Sequence, residues 1–205
     1  MFRSIIKSIS LPSLPVEEVI FAQNLSKPST HPQDVAEAMK YRFDKDKRRF
    51  LSGRNLLRNI LATYSNIPAN ALVFWRDHFG KLSVQDSNLH FSLSYTTDAF
   101  AIAIARQPVG IDIEVISNSI DIVGVAKVVL HPEEEQWLFT KHEKSNAIRN
   151  NDAHTDFFYL WTRKEAYLKK LGTGFQTEAT QTNLLSLANI ITVSPQMGLL
   201  LSVAY

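Results

Sequence analysis

The chain has 205 residues, 45% of them hydrophobic and 20% charged, with a net charge of +2 and no cysteine. That is enough for one large domain, or two small halves sharing a core, in an ordinary soluble globular protein. The near-neutral balance argues against a general nucleic-acid binder, and the missing cysteines exclude disulfides, thiolate catalysis and cysteine-ligated zinc.

Residues 1–15 carry Arg3 and Lys7 among short apolar pieces and lack the continuous apolar core of a signal peptide. No segment is long and apolar enough to cross a bilayer, so the expected location is the cytoplasm, away from membranes. Residues 16–22 read as a first short strand, 26–32 as a Pro/Ser/Thr loop and 34–41 as a helix. Asp44 is placed to cap a longer helix running to about Tyr64, in which Phe50, Leu57 and Leu61 recur at helical spacing. Lys45, Lys47, Arg48, Arg49, Arg54 and Arg58 make it strongly basic, which suits either a solvated face or a phosphate ligand. Residues 66–70 form a turn, 72–75 a strand and 78–81 another turn. Leu89, Phe91, Leu93 and Tyr95 alternate with His90, Ser92 and Ser94. Phe100, Ile102 and Ile104 continue the alternation, and with residues 109–115 these predict an antiparallel meander.

The second half turns helical. Residues 120–130 read as one helix, Pro132 opens another in its first turn, 141–153 are polar, and 155–171 form a long helix that Gly172-Thr173-Gly174 ends. Residues 184–193 and 199–204 suggest closing strands. The order is α+β rather than a wound parallel sheet, and a boundary falls near Gln107-Pro108.

Two stretches carry the chemistry. In Val-Gly-Ile-Asp-Ile-Glu (109–114) the alternation puts Asp112 and Glu114 on one face of a strand and Val109, Ile111 and Ile113 on the other. In Trp-Thr-Arg-Lys-Glu-Ala-Tyr-Leu-Lys (161–169), Glu165 and Lys169 stack one helical turn apart. On a helical projection Phe157, Phe158, Trp161, Leu168 and Leu171 share one arc, with Glu165 inside it and Lys164 near its edge, while Arg163, Tyr167 and Lys170 lie opposite. A solvated polar face is the commoner use of a D-x-E strand. A carboxylate among apolar neighbours needs a salt bridge or a metal. Three carboxylates and a lysine suit a hard divalent cation, Mg²⁺ by choice of ligands, with a phosphate completing its shell. No paired histidines stand at zinc spacing, and His131 and His142 read as surface residues. There is no P-loop, no G-x-G-x-x-G and no G-x-S-x-G.

Gly110-Ile-Asp-Ile-Glu114 followed by Trp161-x-x-Lys-Glu-Ala-x-x-Lys169 resembles the 4′-phosphopantetheinyl transferases, of the larger, surfactin-synthetase-activating type that serves peptide and polyketide synthases. The likeness extends to Arg48-Arg-Phe-Leu-Ser-Gly-Arg-Asn-Leu-Leu-Arg58, to Gly80-Lys81 and to Phe91-Ser-Leu-Ser94, spanning residues 42–175.

The resemblance implies an α+β fold of two pseudo-twofold-related halves, here 1–106 and 107–205, each with a small mainly antiparallel sheet and packed helices, and an active site in the cleft between them. It implies transfer of the phosphopantetheine arm of coenzyme A to a serine of an acyl or peptidyl carrier protein, releasing adenosine 3′,5′-bisphosphate. By matched position, Asp112, Glu114 and Glu165 would hold Mg²⁺. Glu165 would be the base and Lys169 would contact the phosphates. Arg49, Arg54, Lys81, Ser94 and Tyr95 would bind coenzyme A. Tyr95 stands where many relatives have histidine; a tyrosine cannot become cationic, which weakens the expected 3′-phosphate contact. The helix at 120–130, with Val123, Val125, Lys127 and Val128, either packs the core or faces the carrier. A chain holding both halves is expected to work as a monomer. A Mg²⁺-dependent pyrophosphohydrolase and a non-catalytic coenzyme A-binding module are the competing readings.

Overall fold

The computed structural model describes residues 4–11, 14–143, 151–173 and 179–205. Its elements run β1 (Ile5–Ser8), β2 (Glu18–Gln23), α1 (Pro32–Ala38), α2 (Asp44–Ser65), β3 (Phe74–Arg76), β4 (Leu82–Val84), β5 (His90–Tyr95), β6 (Ala99–Ala105), β7 (Gly110–Val115), α3 (Ile122–Val129), α4 (Pro132–Glu143), α5 (Asn151–Leu171), β8 (Ile190–Val193) and β9 (Leu199–Ala204). Most of the polar stretch expected at 141–153, and Gly174 of the expected helix stop, lie outside the described residues. Among the described residues no helix is long and apolar enough to cross a membrane.

The sequence of β6, AFAIAIA, decides how the layers stack. All seven of its residues are buried. Phe100, Ile102 and Ile104 face α2, where they pack with Leu56, Leu57 and Leu61. Ala99, Ala101, Ala103 and Ala105 face the other way, against Val109, Ile111 and Ile113 of the β7 region and Leu199, Leu201 and Val203 of β9. Large side chains on one face fill the space under a helix; methyl groups on the other let a second sheet approach closely.

β6 lies in a four-stranded antiparallel sheet of order β1-β2-β6-β5. β3 and β4 form a separate hairpin, and β7-β9-β8 a three-stranded antiparallel sheet. The α+β reading therefore holds, but the expected meander stops at β6. β7 leaves the first sheet and pairs with β9, from Gly110↔Ala204 to Val115↔Leu199. Pro108 precedes it and has no N–H to continue a ladder. β1 was not expected. Its residues are all exposed, so it carries no apolar alternation to read.

α2 begins at Asp44, but the N-cap position is Phe43, which makes no side-chain capping bond; Asp44 and Asp46 instead sit in the first turn, where acids favour the helix dipole. The basic face of α2 is not uniformly solvated. Arg58 is buried and forks onto Asp34 through Nε (2.6 Å to Oδ2) and Nη2 (3.0 Å to Oδ1), while its Nη1 donates to the Leu72 carbonyl at 2.6 Å. Burial alone would raise the Asp34 pKa; the Arg58 guanidinium and the Ser29 hydroxyl outweigh it and hold the carboxyl below its ordinary range. α3 buries Ile122, Ala126 and Val129 and exposes Val123 and Val128. His142, expected at the surface, is buried and bonded to Asp156 at 2.8 Å.

α5 lies on the face of the β7-β9-β8 sheet. The side opposite its apolar arc is covered as well: Arg163 is buried and donates to the carbonyls of Ile190, Leu184 and Leu187. A helical projection cannot register that β8 and the loop before it close over that face. Lys164 is fully buried and paired with Glu134 at 2.8 Å, and Glu134 also accepts from the N–H groups of His131 and Leu184. Such a pair contributes little net stability, but losing either partner would leave an uncompensated buried charge between α4 and α5.

Contact between α5 and β7 requires a missing side chain. A Cβ on Gly110 would stand 1.9 Å from the Ala166 carbonyl oxygen and 2.4 Å from the Lys170 nitrogen, both backbone atoms that cannot swing away. Gly110→Ala is therefore expected to destabilise the protein by at least about 2 kcal/mol, a fall in Tm of roughly 4–8 °C for a chain of this size. An unchanged melting curve would show that the helix does not rest on that residue.

Candidate active site

Asp112 and Glu114 come from β7, Glu165 and Lys169 from α5, and Ser94 from β5. β5 and β7 meet through serine side chains rather than a shared ladder. The Ile111 N–H donates to Ser92 Oγ at 3.1 Å, and Ser94 Oγ donates to Asp112 Oδ1 at 2.8 Å. Lys169 Nζ donates to the same Asp112 oxygen at 2.7 Å and to Ser94 Oγ at 3.0 Å. Trp161, one turn ahead of Glu165, donates its indole N–H to Glu114 Oε1 at 3.2 Å. Among the described residues Glu165 makes no hydrogen bond or ion pair, so the salt bridge that could have explained it is not formed.

Glu165 and Lys169 also line a cavity of about 360 Å³, with walls from α2, the β3–β4 hairpin, β5 and β6. Of the residues expected to bind coenzyme A, Arg49, Arg54, Lys81, Tyr95 and Lys169 line it, whereas Ser94 lies against Asp112 and Lys169. Arg49 stands over the Tyr95 ring, 5.1 Å from its centre. Arg54 is sandwiched between Phe50 and Phe74, 4.9 Å from each ring centre, and binds Glu37 at 2.7 Å; its Nη1 is buried with no hydrogen-bond partner among the described residues. Lys81 donates to the carbonyls of Lys169 (2.7 Å) and Lys170 (2.8 Å), capping the C-terminal end of α5. Burial pulls the Lys81 pKa below its ordinary value, against the charge of Asp77.

Sequence reasoning missed Arg76 and Tyr41, which line the same cavity. Arg76 binds Glu37 at 2.7 Å beside Arg54. Burial, and then Tyr95, raise the Tyr41 pKa. Neither residue sits in a recognisable motif. An arginine on a three-residue strand gives no signal until the hairpin is placed against α2.

The three carboxylates share one electrostatic environment. The Glu165 pKa rises from 4.5 to about 7, through burial first and then the charge of Asp112, with Lys169 opposing and Glu114 adding. Burial and Asp112 also raise the Glu114 pKa, while Trp161 and Lys169 hold it back. Asp112 Oδ2 is buried with no hydrogen-bond partner among the described residues. The side chains are not drawn in around a common point: no cluster of three acidic or histidine residues among those described forms a ready metal cage. Even so, an orphaned carboxylate oxygen, an all-oxygen donor set and an excess of negative charge over the single lysine fit a hard divalent cation.

Two family models match the chain and meet at the boundary between β6 and β7. One, described as 4′-phosphopantetheinyl transferase, N-terminal, matches residues 19–107; the other, described as the 4′-phosphopantetheinyl transferase superfamily, matches residues 108–200. The chain is similar to the 4′-phosphopantetheinyl transferase gsp of Aneurinibacillus migulanus, 39% identical over 63% of this chain and 51% of that one. It is similar to HetI of Nostoc sp., 32% identical over 69% of this chain and 59% of that one. It is also similar to Sfp of Bacillus subtilis, 27% identical over 70% and 60%. The chain thus spans between half and three fifths of the length of these curated relatives.

The electrostatics set a testable linkage. A carboxyl whose pKa is raised by folding stabilises the native state fully below pH 4.5 and loses that contribution as pH climbs through about 7. In protein stripped of divalent cations, Glu165→Gln is expected to gain about 1–3 kcal/mol of stability at pH 8 and almost nothing at pH 4.5. Denaturant unfolding at the two pH values measures this; an equal effect at both would contradict the assigned repulsion.

Proposed function

The chain belongs to the 4′-phosphopantetheinyl transferase superfamily, of the Sfp-like type, and on that premise we propose that it transfers the 4′-phosphopantetheine arm of coenzyme A to a serine of an acyl or peptidyl carrier protein. The observation that carries the reading is the junction of the acidic cluster with the arginine- and lysine-lined cavity through Glu165 and Lys169, which belong to both. Acid at one end suits a metal-bound pyrophosphate; base and aromatic rings at the other suit a phosphorylated nucleotide.

The two helix-on-sheet units, 1–106 and 107–205, are read as the family's pseudo-twofold halves, with the cavity as part of the active-site cleft between them. Mg²⁺, held by Asp112, Glu114 and Glu165, would supply Lewis-acid polarisation of the pyrophosphate and a template for in-line displacement. The raised pKa of Glu165 suits it to take the proton of the carrier serine, directly or through a water. The serine oxygen then bonds to the phosphorus bearing the pantetheine arm. The bridging P–O bond breaks, and its electron pair leaves with adenosine 3′,5′-bisphosphate. Lys169 donates to the phosphate oxygens and steadies the departing charge. Arg49, Arg54 and Lys81 are assigned to the nucleotide end, with Ser94 and Tyr95 beside them. Arg54 brings a buried N–H with no partner among the described residues, and Tyr95 a ring already engaged by Arg49. Holding both halves in one chain, the protein is read as a cytoplasmic monomer.

The test is incubation with coenzyme A, Mg²⁺ and a panel of apo carrier proteins, followed by mass spectrometry of the intact carriers. Gain of the phosphopantetheinyl mass supports transfer, whereas coenzyme A cleaved without a carrier product, or left intact, refutes it. Asp112→Ala and Glu165→Ala are each expected to slow transfer at least about 100-fold with circular dichroism unchanged. Turnover within a few-fold of the parent would remove these residues from the mechanism.

A further inference from the structure

We propose that Trp161 is a positioning residue, whose indole N–H fixes the Glu114 carboxylate in the orientation that a divalent cation requires. The inference rests on the Mg²⁺-dependent reading above. Trp161 and Glu114 are 47 residues apart and meet only because α5 lies on β7; the donor–acceptor distance is 3.2 Å. The ring is set by packing. It stacks on Phe157 at 6.1 Å between centres and 26° between planes, and Phe157 is itself only 1% exposed. The donor is therefore in place before any ion arrives.

The three carboxylates are supported differently. Asp112 Oδ1 is held by Ser94 and by the Lys169 ammonium. Glu165 has no hydrogen-bond partner among the described residues. Glu114 has the indole, and among the described residues no other side-chain hydrogen bond. An ammonium on a carboxylate orients it but cancels its charge and competes with a metal. An uncharged N–H on Oε1 orients the group, leaves its full charge, and frees Oε2 for the cation. Without that bond the Glu114 side chain would have to be ordered by the ion itself, and the affinity would fall by the entropy of that ordering.

The experiment measures Mn²⁺ binding to the full chain by electron paramagnetic resonance, with coenzyme A present, in four proteins: the parent, Trp161→Phe, Glu114→Gln and the double variant. Trp161→Phe is expected to weaken Mn²⁺ binding about tenfold in the parent background and less than about twofold once Glu114 is Gln. A merely structural tryptophan would weaken both backgrounds by the same factor, and that result would overturn the proposal. Equal binding by the parent and Trp161→Phe would overturn it while leaving the cation reading intact. No Mn²⁺ binding by the parent would bring down the cation reading and this inference together. Should Trp161→Phe melt too early to assay, a benzothiophene-bearing residue at position 161, with sulfur replacing the indole N–H, keeps the shape and removes only the donor. Tight binding by that variant would likewise count against the proposal.

Discussion

The approach of α5 to β7 at Gly110 is the contact on which the rest of this molecule depends. Asp112 and Glu114 follow that glycine by two and four residues, and Glu165 and Lys169 flank the Ala166 carbonyl that presses on it. Distance along the chain thereby becomes adjacency in space at one point, and the polar contacts of the acidic cluster, Asp112 with Lys169 and Glu114 with Trp161, lie within a turn or two of it. The aromatic and ionic anchors of α5 serve the same end. Phe157 and Phe158 pack its first half, Arg163 ties it to the carbonyls around β8, and Lys164 locks it to α4. A helix held on so many sides has little freedom to rotate, so its Glu165 carboxylate faces a fixed direction.

Charge distribution follows the same logic of support. The chain buries several ionic groups far from any chemistry, Arg58 with Asp34 and Lys164 with Glu134, and in each case the partner is present and hydrogen bonds satisfy the remaining atoms. At the acidic cluster the pattern breaks: Asp112, Glu114 and Glu165 stand with one lysine, Asp112 Oδ2 has no hydrogen-bond partner among the described residues, and Glu165 is pushed towards neutrality. Incomplete compensation among clustered carboxylates fits the proposal that a cation is held there.

The grouping of Asp112, Glu114, Glu165 and Lys169 was more legible in the sequence than the pairing of the strands. The period-two pattern around Asp112 and the carboxylate inside an apolar helical arc are local features, and local features survive in a single chain. Sheet membership does not. Nothing in residues 109–115 says that their partner is residues 199–204 rather than β6, because strand pairing is decided by distant segments and by the break at Pro108. The burial of Arg163 is illegible for a related reason: the carbonyls that accept from it belong to a segment some twenty residues later. Arg76 and Tyr41 stayed hidden because their significance lies only in what surrounds them. The donor role of Trp161 was hidden too, since an aromatic in a helix reads first as packing.

The alanine face of β6 carries a consequence for how this protein tolerates change. Four of the smallest side chains in the chain occupy the seam between the two larger sheets, all of them essentially inaccessible. An extra branch at Ala101 or Ala103 would act as a wedge, prising β7 from β5 and parting Asp112 from Ser94, although neither alanine borders the cavity. The positions most intolerant of growth are therefore chemically the plainest, and damage there would read out as lost geometry at a place the altered atom never touches.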